Sequence, residues 1–198
     1  MSTRKFGGRT LARSQALQLL FQAEIAERSV SEVLAGPYAL SQWPLDEYGE
    51  RLALGADSMR HDLDAVIARA STNWTIGRMP SVDRNLLRLA LYEMLAVDEV
   101  AIAVTIDESV ELAKAYGTDE SSRFINGLLG RVATDIEAGA DVVGDARVDE
   151  EEDLAETAGE AEAEPVAEAE AADEPVAEAE AADGEESEPE SDQTAEEA

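Results

Sequence analysis

Cysteine is absent from this chain of 198 residues, which excludes a disulfide framework, a thiol nucleophile and a thiolate metal site. Histidine occurs once, as His61 between Arg60 and Asp62. A lone imidazole supplies neither a proton relay nor a two-histidine metal site, so it is read as a solvated side chain without a role. No run approaches the roughly 20 apolar residues of a membrane span, and the basic N-terminus is not followed by the apolar core of a signal peptide, so a cytoplasmic protein is expected. GxSxG, HExxH and the phosphate-loop glycine pattern are all missing. The expectation is therefore a protein that is not an enzyme and needs no cofactor or metal.

Acidic charge is abundant and unevenly placed. The formal net charge is −30. Residues 1–139 carry 20 acids against 14 Lys or Arg, leaving −6, whereas residues 140–198 carry 25 acids against Arg147 alone, leaving −24. The second stretch has no aromatic residue, and the unit EPVAEAEAAD occurs at Glu164 and again, unchanged, at Glu174. Such a composition buries no core, so residues 140–198 are expected to be a disordered acidic low-complexity tail. Residues 10–139 suffice for one domain of ordinary size, and residues 1–9, with Arg4, Lys5, Arg9 and two glycines, read as a flexible basic arm.

The domain is organised around VDRNLLRLALYEMLA, from Val82 to Ala96, where Leu86, Leu87, Leu89, Ala90, Leu91, Met94 and Leu95 leave almost no polar side on a helix. Such a helix belongs inside others. Pro80 ends the preceding chain, Ser81 is placed to cap, and Asp83 puts negative charge where the helix dipole favours it. Ahead of it, Thr10 is placed to cap a long first helix carrying Ala12, Ala16, Leu20 and Ala23, with no breaker before Gly36 and Pro37. Val30 to Leu34 suits a short helix. Pro44 suits the start of a second long helix, with Leu45, Tyr48, Leu52, Ala56, Met59, Leu63, Val66, Ile67 and Ala70 three or four apart, ending near Thr72. Behind the centre, Ile102, Ile106, Val110 and Ala113 predict a helix capped by Gly117. Phe124, Leu128, Val132 and Ile136 predict a last helix that stops at Gly139. Gly127 and Gly130 inside it suggest close backbone approach to a neighbour or a ligand. No period-two strand appears, so the fold class is all-α.

Against an acidic domain, the cluster Arg4, Lys5, Arg9 and Arg13 stands out. It suits phosphates, whose counterions it would release, and Arg123 beside Phe124 adds a charge and a ring for an unstacked base. Phe21 is an aromatic among the polar neighbours Ser14, Gln18 and Gln22.

VDRNLLRLALYEM followed by IAVTIDESVELAKAYGTDESSRFINGLLGRV, behind RxxxRSQALQLLFQAE, resembles the bacterial transcription antitermination factor NusB family from about Arg9 to Ile136. The resemblance implies two small helical bundles around the buried central helix. It implies binding of the boxA element in ribosomal RNA leader transcripts, together with the NusE ribosomal protein and an RNA polymerase antitermination complex. Carried across, the family's arginine-rich start falls on Arg9 and Arg13, thinned enough that Arg4 and Lys5 stand in. Its RNA-contacting aromatic falls on Phe124, its aromatic late in the first helix on Phe21, and its acid for gripping the ribosomal partner on Asp83. The chain is read as a monomer or a homodimer.

Two other classes fit parts of the sequence. One is a helical protein-interaction adaptor whose acidic tail binds basic proteins. The other is the NusB-like accessory domain of ribosomal RNA methyltransferases, whose catalytic domain and cysteines this chain lacks. The tail itself admits two readings: a solubilising appendage with no contact to the domain, or a tethered polyanion that folds back over the basic arm and competes with non-specific RNA.

Overall fold

The computed structural model describes residues 5–71, 74–149 and 151. Arg4, Thr72 and the repeat-bearing segment from residue 152 onward, with the tail expectations attached to it, lie outside the described residues. Helices account for the regular structure: α1 (Gly8–Ile25), α2 (Val30–Leu34), α3 (Glu47–Ser58), α4 (Arg60–Ala70), a 3-10 turn (Ile76–Arg78), α5 (Ser81–Ala96), α6 (Ile102–Tyr116) and α7 (Ser121–Glu137). Residues 142–149 form a further helix, α8. No strand occurs among the described residues.

α5 lies at the centre as expected. It packs on α1, α3, α4, α6 and α7, while α1, α2 and α3 pack on one another and α7 packs on α4 and α6. Leu86, Leu87, Leu89, Ala90 and Leu91 are buried, each Leu worth roughly 1.5–3 kcal/mol relative to exposure. α1 and α3 approach so closely that a Cβ on Gly49 would lie 2.6 Å from the Ala12 carbonyl oxygen.

Several boundaries differ from the sequence expectation. α1 begins at Gly8, within the stretch read as an arm, and Gly7 rather than Thr10 occupies the N-cap. It ends at Ile25, eleven residues ahead of Gly36, with Glu27 in the left-handed region at φ 52°. The stop has two local causes. Ser29 and Glu32 form a reciprocal capping box that starts α2, and the Asp57 carboxylate accepts the Val30 N–H at 2.7 Å. The expected second long helix starts at Glu47, capped by Asp46, and breaks at Met59 into α3 and α4. At the break the Ser58 hydroxyl donates to the Gly55 carbonyl at 2.8 Å, so a side chain competes for a ladder acceptor. Ser81 is the first residue of α5 and makes no capping hydrogen bond.

On α6 the buried residues are Thr105, Ser109, Leu112 and Ala113, a stripe rotated from the purely apolar one because Thr105 is needed as a donor inside the core. Gly117 does occupy the C-cap of α6. α7 stops as expected at Gly139, whose φ of 82° permits the left-handed cap, with Ala140 N–H donating to Asp135 and Gly139 N–H to Ile136. Gly127 and Gly130 do not admit a neighbouring backbone, since a Cβ on either would meet nothing within 4 Å.

The expected tail boundary at residue 140 is also corrected. Val142 and Ala146, four apart on α8, are buried in the core, and Arg147 pairs with Asp62 at 2.6 Å while Arg69 pairs with Asp145 and Asp149. Acidic composition hid a short amphipathic helix whose charges are partly matched by α4.

Candidate nucleic-acid interface

The arginine-rich start is divided by burial. Arg9 is exposed, with its guanidinium 5.0 Å from the centroid of the Tyr48 ring, and Arg51 reaches the same ring at 5.2 Å. Lys5 is also exposed. Arg9 and Arg51 thus place two cations over one ring between α1 and α3, with Arg51 also paired to Glu99 at 3.3 Å, a setting that suits phosphates.

Arg13 does not join them. It is only 3% exposed, its Nε donates to both carboxylate oxygens of Glu93 at 3.0 and 2.9 Å, and Nη1 lies 3.3 Å from Glu108. Glu93 also accepts from the Tyr48 hydroxyl and from Thr105 at 2.7 Å. Burial, the hydrogen bond to Glu93 and the charge of Glu93 push the Tyr48 phenol up to about 12, so it stays a donor. The expected phosphate contact at Arg13 is thus a structural ion pair tying α1, α3, α5 and α6 together.

Phe21 is 37% exposed and borders an apolar cleft with Leu17, Ala39, Val82 and Tyr116. Its polar neighbours have a specific task. Gln15, Gln18 and Gln22 stand on α1 and exchange hydrogen bonds with backbone groups of residues 39–46, much as an adjacent strand would: Gln22 with Ala39, Gln18 with Ser41, and Gln15 with Gln42, Pro44 and Asp46. The loop carrying Tyr38 and Trp43 is pinned along the helix by this ladder.

Phe124 is half-buried on α7, packed against the core with one side of its ring open. Its ring centroid lies 6.4 Å from that of Trp74, inclined by 40°, and Trp74 is 52% exposed. Clefts open on both sides of the pair. One contains Arg123, Gly127 and Arg131, with Arg131 donating to the Ala70 carbonyl at 2.8 Å. The other, of about 320 Å³, contains Pro80, Asp83, Thr118, Ser121 and Arg123. Asp83, read from sequence as the grip for a ribosomal partner, is 3% exposed and accepts the Ser121 hydroxyl at 2.9 Å. It lies inside this cleft rather than on an open face. Burial pushes its carboxyl up, and the Ser121 hydrogen bond opposes that without cancelling it.

Sequence reasoning missed Trp74, Arg51, Tyr48 and Arg131. Trp74 lies in the short segment between α4 and α5, where no periodicity marks it, although a tryptophan between two turn-forming stretches was a signal in itself. Among the described residues no group of acids and histidine is arranged to hold a metal ion, and no helix is long and apolar enough to cross a membrane.

A sequence profile described as the NusB family matches residues 10–134. The chain is 47% identical over 128 residues to the transcription antitermination protein NusB of Salinispora tropica, covering 63% of this chain and 94% of that relative. To the Bacillus subtilis protein of the same name it is 37% identical over 129 residues, covering 65% and 97%. The solved structure of T. maritima NusB matches with a TM-score of 0.57 at 33% identity, over 66% of this chain and 93% of that one. A crystal structure of antitermination factors NusB and NusE in complex with dsRNA shares the fold, with a TM-score of 0.53 at 23% identity over 63% and 94%.

Proposed function

The chain belongs to the NusB family, and on that premise we propose that it is a non-enzymatic, cytoplasmic, RNA-binding transcription antitermination factor. It engages boxA of ribosomal RNA leader transcripts together with the NusE ribosomal protein, within the RNA polymerase antitermination complex. The observation that carries this reading is the Trp74–Phe124 pair flanked by Arg123 and Arg131. An exposed Trp74 beside a half-buried Phe124, with cations next to them, suits single-stranded RNA, in which each stacked base contributes about 1–3 kcal/mol and phosphates supply the salt-dependent remainder. The known assembly of NusB and NusE with dsRNA supports the partners.

Within the reading, Arg4, Lys5, Arg9 and Arg123 meet phosphates, and Phe21 and Phe124 meet bases; Arg13 holds the scaffold. The test is fluorescence anisotropy of labelled boxA RNA with the full chain, with and without the ribosomal partner, across a salt series. Binding that tightens with the partner and weakens linearly in log salt is expected. Absence of binding in both arms would overturn the reading.

A further inference from the structure

The cleft between the starts of α5 and α7 holds a buried carboxylate oxygen that the fold leaves unsatisfied. Asp83 is 3% exposed. Its Oδ2 accepts from the Ser121 hydroxyl at 2.9 Å, and that hydroxyl in turn accepts the Thr118 N–H at 2.8 Å. Ser121 is thereby committed, while Oδ1 is buried without a partner. A buried acceptor left unpaired is costly, most of all when charged. Asp83 shares its cleft with Trp74, Phe124 and Arg123, and the two rings are inclined to one another rather than stacked face to face.

We propose that this cleft reads one nucleobase: an unstacked base lies against Phe124 and Trp74 and donates an exocyclic amino N–H to Oδ1 of Asp83, while Arg123 meets the adjoining phosphate. The inference rests on the RNA-binding reading and deepens it by naming what the pocket selects. Adenine, cytosine and guanine carry an amino group and uracil has none, so the pocket discriminates against uracil. A lysine or arginine of a protein partner would also satisfy Oδ1. Arg123 in the same cleft repels such a cation, whereas the aromatic walls suit a planar base with a phosphate attached. The role differs from a grip on the ribosomal partner, and it explains why an acid at the start of α5 is buried rather than presented.

The experiment uses the full chain and a labelled boxA oligonucleotide in which each amino-bearing base is replaced, one at a time, by its analogue lacking the amino group: inosine for guanosine, purine riboside for adenosine, zebularine for cytidine. The unaltered protein should lose about tenfold in affinity at one position, the scale of one hydrogen bond to a charged acceptor. Asp83→Ala should bind the unmodified RNA about tenfold more weakly and be indifferent to the analogue at that same position. Asp83→Asn, which keeps the shape and a neutral acceptor, should show discrimination reduced to a few-fold. Thermal melts establish that each variant is folded, and the analogue scan on the unaltered protein stands without any variant. RNA binding with no discriminating position, or equal discrimination by Asp83→Ala, overturns the inference and leaves the RNA reading intact. So does an Asp83→Ala variant that loses only the ribosomal partner, which would give the cleft to a protein. Failure of the unaltered chain to bind RNA at all overturns the RNA reading and the inference with it.

Discussion

The guanidinium of Arg13 is clamped on the carboxylate of Glu93, with Nε 3.0 and 2.9 Å from its two oxygens and both side chains buried. An arginine in a basic N-terminal cluster is thereby a strut between α1 and α5, and its charge is spent inside the domain. Removing one partner of a buried pair leaves an uncompensated charge and costs about 3–5 kcal/mol. Arg13→Ala should lower stability on that scale in urea titrations, while the folded fraction keeps its affinity for RNA.

Arg9, exposed over Tyr48, should behave in the opposite way. Arg9→Ala should cost no more than about 1 kcal/mol of stability, the scale of an exposed cation–π contact. It should also flatten the slope of log affinity against log salt by about one phosphate contact. An Arg9→Ala protein with an unchanged salt slope would place the phosphate path elsewhere.

Glu24 lies 2.7 Å from Arg84 and 2.8 Å from Arg88. Burial pushes its carboxyl up, but hydrogen bonds from Arg84, Ser81 and Arg88 and the charge of Arg84 outweigh it, bringing the group from 4.5 to about 2. An acid held below its unfolded value stabilises the fold at pH above 4.5, and that stability is lost as pH falls from 4.5 towards about 2. Glu24→Gln should therefore be less stable than the natural chain at pH 7, with the gap narrowing across this acid window. Denaturant melts at a series of pH values measure it, and a constant gap would contradict the coupling.

Two glycines should respond in opposite directions to the same change. A Cβ at Gly49 would meet the Ala12 backbone at 2.6 Å, so Gly49→Ala should lower the melting temperature by pushing α3 off α1, at a cost of about 1–3 kcal/mol. A Cβ at Gly127 would meet nothing within 4 Å, so Gly127→Ala should raise stability by up to about 1 kcal/mol through helix propensity alone. Circular-dichroism melts of both variants decide the matter.

Legibility in the sequence followed burial of apolar surface. α5 was readable because its leucines occupy every side, and the ends of α6 and α7 were readable from Gly117 and Gly139. What escaped was set by polar groups acting inside or across the fold. Thr105 turns the buried face of α6 because Glu93 needs a donor, the glutamines of α1 pin a loop that has no periodicity, and Ser29–Glu32 ends the reach of α1 although a capping box was there to be read. Helix α8 was hidden by the acidic composition around Val142 and Ala146. In the site, Arg123 and Phe124 were legible as a charge beside a ring and the resemblance added only the family role of Phe124, Arg13 was misassigned because burial of a charge cannot be seen in a charge count, and Trp74 was missed because only the fold brings it to Phe124.

The central claim is that RNA stacks at Trp74 and Phe124, and the chain's two tryptophans offer a direct readout. Trp43→Phe leaves Trp74 as the single emitter, 6.4 Å from the Phe124 ring. Titration of that protein with boxA RNA should quench its emission and saturate together with the anisotropy of the RNA. Adding Phe124→Ala should weaken both signals by about 1–3 kcal/mol in binding free energy. Anisotropy that rises to saturation while Trp74 emission stays constant would contradict the account.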